Sequence, residues 1–138
     1  MHTAETPRTV VASVLDRMRL VDLLGRLQTG TAAVDLLRRK LAMARLLLPQ
    51  EMLPDVVTMN TRVMFLDLDT EGEYGLKLTY PEEAAMPGDI SVLTPVGAAL
   101  FGLRVGQDIK WQGRSGRRLG VRVLKIVYQP EADGQYLV

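Results

Sequence analysis

Ile90-Ser91-Val92-Leu93-Thr94-Pro95-Val96-Gly97-Ala98-Ala99-Leu100-Phe101-Gly102-Leu103-Arg104-Val105-Gly106 reads as strand, helix and turn in one run. Ile90 to Leu93 is a short β-type segment. The Thr94 hydroxyl is placed to accept a bond from an orphan N–H of a first helical turn. Pro95 suits the first helical position, where its missing N–H costs nothing. Val96, Ala99, Leu100 and Leu103 recur at i, i+3, i+4 and i+7, which makes one apolar helix face. Gly102 is suited to a left-handed stop and Gly106 to the turn beyond it. The small residues Gly97, Ala98 and Ala99 let such a helix press closely on a sheet. Packing accounts for most of these side chains. The polar pair Ser91 and Thr94, beside Pro95, is the place for a binding role.

Working outward, the chain behind this run changes period twice. Ser13 with Asp16 three residues later resembles a capping box. Leu20, Leu23, Leu24 and Leu27 then share a helical face. Thr31 can cap a second helix, in which Val34, Leu37, Leu41, Ala44 and Leu48 alternate spacings of three and four. Pro49 ends that pattern. These two seams predict an antiparallel helical hairpin over residues 13–48, each arm roughly 14 residues and about 20 Å long. The basic run Arg38-Arg39-Lys40 is expected to be a solvated face.

Residues 49–54 form a proline-bounded linker, and the period after it is two. Val57, Met59, Val63 and Phe65 alternate, then Met64, Leu66 and Leu68 continue on the other phase, which predicts a strand with a bulge. Asp69-Thr70-Glu71-Gly72 is a turn, and Tyr74, Leu76, Leu78 and Tyr80 form the returning strand. Pro81 to Gly88 is a loop with room for one helical turn. Asp108 to Gln112 and Leu119 to Tyr128 complete the strands, the last with a phase slip. The expected class is α+β: a flexible start over 1–12, the hairpin, the linker, and a unit of antiparallel strands with one short helix over 55–138.

Composition narrows the function. The 138 residues carry 17 basic and 16 acidic side chains, a net charge of +1, so no global field draws the chain to nucleic acid or an anionic membrane. With no cysteine there is no disulfide and no thiolate metal site, which suits a cytoplasmic protein. Met1 to Pro7 lacks the apolar core of a secretory signal, and no window approaches twenty apolar residues. The single histidine, His2, lies outside any predicted element, which removes the commonest general base. Ser91 and Ser115 lack an activating partner, and no phosphate-binding glycine loop occurs. Asp67, Asp69, Glu71 and Glu73 straddle a turn with a spacing that fits no calcium loop and are expected to be solvated. Arg114, Arg117 and Arg118 are placed to touch phosphate, but an aromatic content of 5% argues against a stacking platform. Trp111, on an alternating strand with Ile109, is expected in the core. No catalytic residue, metal or cofactor is assigned.

Four segments carry a family resemblance. They are Val56-Val57-Thr58-Met59-Asn60-Thr61-Arg62-Val63, Thr79-Tyr80-Pro81, Ser91 through Leu100, and Val127-Tyr128-Gln129-Pro130-Glu131. In this order they resemble the Gre transcript-cleavage factor family, and within it the regulators of nucleoside diphosphate kinase. The resemblance implies an N-terminal coiled-coil hairpin and a C-terminal domain of FKBP-like fold. It implies binding to bacterial RNA polymerase at the rim of the secondary channel, with Asp89, Ser91, Thr94 and Pro95 as contact candidates. Thr94 stands where the family usually has serine. Cleavage factors of the family carry acidic residues at the hairpin tip, which help hold magnesium. Here the tip is Gln28-Thr29-Gly30-Thr31, followed by a lone Asp35. One carboxylate is a poor holder of a metal that demands octahedral oxygen. The resemblance therefore implies a monomeric, non-catalytic transcription regulator that competes with Gre-type factors, influences nucleoside diphosphate kinase and does not promote cleavage. The competing expectations are a peptidyl-prolyl isomerase, suggested by architecture alone, and a nucleic-acid-binding module using Arg114, Arg117 and Arg118.

Overall fold

A computed structural model describes residues 9–27, 30–113 and 116–138. Its architecture is mixed α+β. A short strand, β1 (Val11–Ser13), leads into helix α1 (Val14–Gly25). The Asp16 N–H donates to Ser13 Oγ at 2.9 Å, so the serine caps the helix as its position requires. The Asp16 carboxylate does not complete the box. It reaches out of the helix to Met59 N–H at 3.1 Å instead.

Helix α2 (Ala32–Met43) starts at Thr31, whose Oγ1 accepts from Val34 N–H at 3.2 Å. It ends at Met43, short of the expected Leu48. Ala44 is extended at φ −63°, ψ 139°, and Arg45–Leu47 forms β2, paired in parallel with β1. Leu48 precedes Pro49, and a residue before proline is pushed from helical to extended geometry. The two helices run past each other in opposite senses. Arg17 Nε donates to Leu41 O at 3.2 Å and Arg38 to Leu24 O at 3.1 Å. The segment after β2 makes a 3₁₀ turn at Pro49–Glu51, and beyond it Met52 and Val56 pack with Val11 in a small satellite cluster.

The strand expected from Val57 begins only at Arg62. Val57 and Met59 are buried in a loop whose Asn60 adopts a left-handed φ of 66°. Val56, Val57, Thr58 and Met59 are all buried, and the segment's backbone bonds go to Gly102 and Leu103 instead of the main sheet, with Val57 N–H donating to Leu103 O and Gly102 N–H to Val57 O, both at 2.8 Å. The main sheet contains β3 (Arg62–Asp67), β4 (Glu73–Thr79), β5 (Asp89–Ser91), β6 (Asp108–Gln112) and β7 (Arg118–Tyr128), in the order β5-β4-β3-β7-β6. Only the β4·β5 pair is parallel. The phase changes in the sequence correspond to two register shifts between β3 and β7, at Arg62/Val63 and Met64/Phe65.

Helix α3 (Pro95–Leu100) has six residues. Leu103, expected on its face, lies past its end yet is buried. Gly102 makes the stop at φ +80°, and its carbonyl accepts from Val11 N–H at 3.2 Å, tying β1 to the end of α3. One hydrophobic cluster runs through the molecule. Leu20, Leu24, Leu37 and Leu41 of the helices belong to it together with Val63, Leu78, Leu100, Phe101 and Val123. Trp111 packs at its margin, half-buried.

Lys40 overturns the solvated reading of the basic run. Its side chain is fully buried, and Nζ donates to Ala99 O at 2.6 Å and Phe101 O at 2.7 Å. The helical spacing that places Leu37 and Leu41 on the core also places Lys40 there. Arg39 is exposed, and Arg38 is held by the Leu24 carbonyl. The ammonium of α2 thus caps the carbonyl end of α3, where positive charge is favoured.

Candidate functional site

The turn between β5 and α3 is built from its own hydroxyls. Leu93 N–H donates to Ser91 Oγ at 3.1 Å. The Thr94 hydroxyl donates to Ser91 O at 2.7 Å, and Gly97 N–H donates to Thr94 Oγ1 at 3.1 Å. Thr94 is therefore both the helix cap and the brace of the turn. Gly97 is indispensable to this geometry, because a Cβ there would sit 2.2 Å from Ser91 O. Pro95 is exposed at the first helical position.

Asp89 enters by a different route. Its Oδ2 accepts from Met86 N–H at 3.0 Å and Ala85 N–H at 3.3 Å, and so folds the loop after Pro81–Glu83 onto the start of β5. The four residues named from the sequence thus lie within seven positions of one another, on one edge strand and the turn that follows it. The steric need for Gly97 in the turn is not separable in the sequence from ordinary small-residue packing, though the Gly-Ala-Ala run signals close approach.

A groove of ≈590 Å³ opens between α1 and β4, lined by Arg19, Asp22, Lys77, Tyr80, Glu82 and Glu83 among others. Arg19 closes one end by donating to Val138 O at 2.9 Å and Leu137 O at 3.1 Å. Beneath the groove the Asp16 carboxyl is buried, and Tyr80 lies at hydrogen-bond limit from it, 3.5 Å. Burial raises the Asp16 pKa to about 7, against the lowering pull of Met59 N–H, with the nearby Glu131 charge raising it further. Burial likewise raises Glu131, which accepts from the Thr58 hydroxyl at 2.8 Å. It also drives Lys40 down to about 7. Sequence inspection missed these groups because each sits on a helix or loop whose polar residues usually face water.

The helical tip is partly outside the described residues: Gln28 and Thr29 are not described, nor are His2, Arg114 and Ser115. Gly30 and Thr31 are. Thr31 serves as the α2 cap, and the Asp35 carboxylate folds back on Gly30, where a Cβ would come within 2.9 Å of Oδ1. Among the described residues no three His, Cys, Asp or Glu side chains gather to hold a metal, and no helix is long and apolar enough to cross a membrane. The acidic turn is less free than its sequence suggested. Asp67 Oδ1 accepts from Asp69 N–H at 2.8 Å, and Asp69 pairs with Arg117. Arg117 is thereby withdrawn from the arginine group proposed to touch phosphate.

Residues 50–128 match the model of the GreA/GreB transcription elongation factor C-terminal domain, more than half of the chain. The chain belongs to the GreA/GreB family. Within it, the regulator of nucleoside diphosphate kinase of Escherichia coli (strain K12) is 41% identical over 133 residues, covering 94% of this chain and 97% of the relative. Transcription elongation factor GreA of Syntrophotalea carbinolica is 32% identical over 93 residues, 67% of this chain and 58% of that protein. A GreA/GreB elongation factor structure from Nitrosomonas europaea superposes with a TM-score of 0.70 at 38% identity, over 89% of this chain and 100% of the other. The GreA/GreB match takes in the β5–α3 turn, the sheet and Gln129's neighbours on β7. The helical pair lies before it and is reached by the similarities to the regulator and to the Nitrosomonas europaea structure, which cover 94% and 89% of the chain.

Proposed function

We propose that the chain is a non-catalytic transcription regulator that docks on bacterial RNA polymerase at the rim of the secondary channel and competes there with Gre-type cleavage factors. Asp89, Ser91, Thr94 and Pro95 form the docking edge, with Gly97 holding their geometry. Helices α1 and α2 act as a short coiled-coil hairpin in place of the full 13–48 span, the segment from β2 through residue 54 links it, and residues 55–138 are the FKBP-like C-terminal domain. Through this competition the protein changes transcription, including that of nucleoside diphosphate kinase. It acts as a monomer in the cytoplasm and takes no cofactor.

One observation carries the proposal. A Gre-family C-terminal domain is joined to helices of only 12 residues each, with no carboxylate at Gly30 or Thr31 and a single exposed one, Asp35, set against Gly30. Twelve residues at about 1.5 Å each give a finger of about 18 Å. Such a finger can occupy a channel mouth without delivering metal ligands to chemistry deeper inside. The turn chemistry supports the docking edge, because its hydroxyls are consumed in fixing shape and leave Pro95 presented to a partner.

The test is a pull-down with purified core polymerase, challenged with a Gre cleavage factor. Binding at micromolar concentration and displacement by the factor are expected. Absence of binding rejects the proposal. A backtracked complex incubated with this protein alone should yield no cleaved RNA 3′ ends.

A further inference from the structure

The sheet has two faces of opposite character. Val63, Phe65, Leu76, Leu78, Val121 and Val123 point into the core. On the opposite face, strand register places Arg62 directly between Lys77 of β4 and Tyr128 of β7, and Met64 beside Lys125. Like charges directly opposite across strands oppose folding. None of Arg62, Lys77 and Lys125 takes part in an ion pair among the described residues.

The carboxylates nearest in register are already engaged. Asp89 lies opposite Lys77 but accepts from Ala85 and Met86 N–H. Asp108 pairs with Arg122 at 2.9 Å. Glu73 is four residues from Lys77, roughly 13 Å along the strand. Lys77 is half-buried and also lines the groove that holds Asp22, Glu82 and Glu83. Among the described residues, the exposed cations outside any ion pair on this face are therefore Arg62 and Lys125, over a floor of half-buried Met64 and Leu66 with Tyr128 at the rim.

We infer that this outer sheet face, centred on Arg62 and Lys125, is a docking surface for an acidic segment of a protein partner that also carries apolar side chains. Charge complementarity selects the acidic residues, and it acts locally in a chain whose net charge is only +1. The thioether and leucine floor selects a polypeptide over nucleic acid, since a phosphate backbone has no use for it and a single tyrosine is no stacking platform. The opposed Arg62 and Lys77 are a stability cost that carboxylates from a partner would relieve.

The test uses the whole isotope-labelled chain, titrated with a random copolymer of glutamate and tyrosine, in parallel with polyglutamate and oligothymidylate at equal charge. The copolymer should shift amides of β3, β4 and β7 and bind at least tenfold more tightly than either comparison ligand. Arg62→Glu with Lys125→Glu should weaken that binding at least tenfold. Shifts mapping elsewhere, no binding, unchanged binding by the charge-reversed chain, or tighter binding of oligothymidylate each overturn the inference. None of these outcomes depends on polymerase.

Discussion

The joint between the helices and the sheet, and the turn between β5 and α3, solve the same problem with different chemistry. Both bury polar groups against backbone. The joint does it with ionisable side chains, Lys40 on the carbonyls of Ala99 and Phe101 and Asp16 on the Met59 N–H. The turn does it with hydroxyls that have no charge to lose. A buried charge must be desolvated, so its interaction changes with pH, whereas a threonine brace does not. The stability of the joint is therefore tied to protonation, whereas the hydroxyl brace of Ser91 and Thr94 is not.

The sharpest way to break the turn is Gly97→Ala. A Cβ would meet Ser91 O at 2.2 Å, and backbone cannot yield that distance without moving. A loss of about 4 kcal/mol in chemical denaturation is expected, among the larger single-residue effects. The joint should yield nearly as much. Lys40→Ala removes a fully buried side chain and leaves two carbonyls without a donor, for a loss of about 3 kcal/mol in the same measurement.

Next in size is the pH profile, which separates the two regions. The folded Asp16 holds its proton to about pH 7 while the unfolded chain releases it near 3.8, so stability falls as pH rises between those values. The folded Lys40 releases its proton near 7 against 10.5 when unfolded, so stability rises from pH 7 to 10.5. Together these two groups place a stability minimum near neutrality. Thermal melting across pH should show it, Asp16→Asn should flatten the acid limb and Lys40→Met the alkaline limb. The smallest effect belongs to the turn's cap: Thr94→Ala should lose about 1 kcal/mol without altering the pH profile, and Thr94→Ser should restore it.

The sequence announced the turn more fully than the joint. Thr94, Pro95 and Gly102 act through local geometry, and local geometry is written in adjacent residues. The helical seams were legible through Leu20, Leu24, Leu37 and Leu41, and the bulges through the phase changes at Met64 and Leu124. The end of α2 was not, because the pairing of Arg45–Leu47 with Val11–Ser13 spans more than thirty residues. Burial of Lys40 was hidden for the same reason. Its partners are carbonyls, which carry no sequence signature, and they lie 59 and 61 residues away. The loop at Val57–Thr61 mimicked a strand because its apolar residues are spaced two apart, although the threonine Thr58 between them is buried as well. Asp89 was legible as a neighbour of Ser91, but its service to the Ala85 and Met86 amides was not.

The account turns on a domain that occupies polymerase while its short helical finger stops before the catalytic metal. Its most direct measurement is RNA cleavage in a backtracked polymerase complex carrying a Gre cleavage factor, followed as this protein is titrated in. The account predicts that cleavage declines with added protein and that the protein alone releases no RNA fragment. Cleavage that is unaffected at saturating protein, or fragments released by the protein by itself, would contradict it.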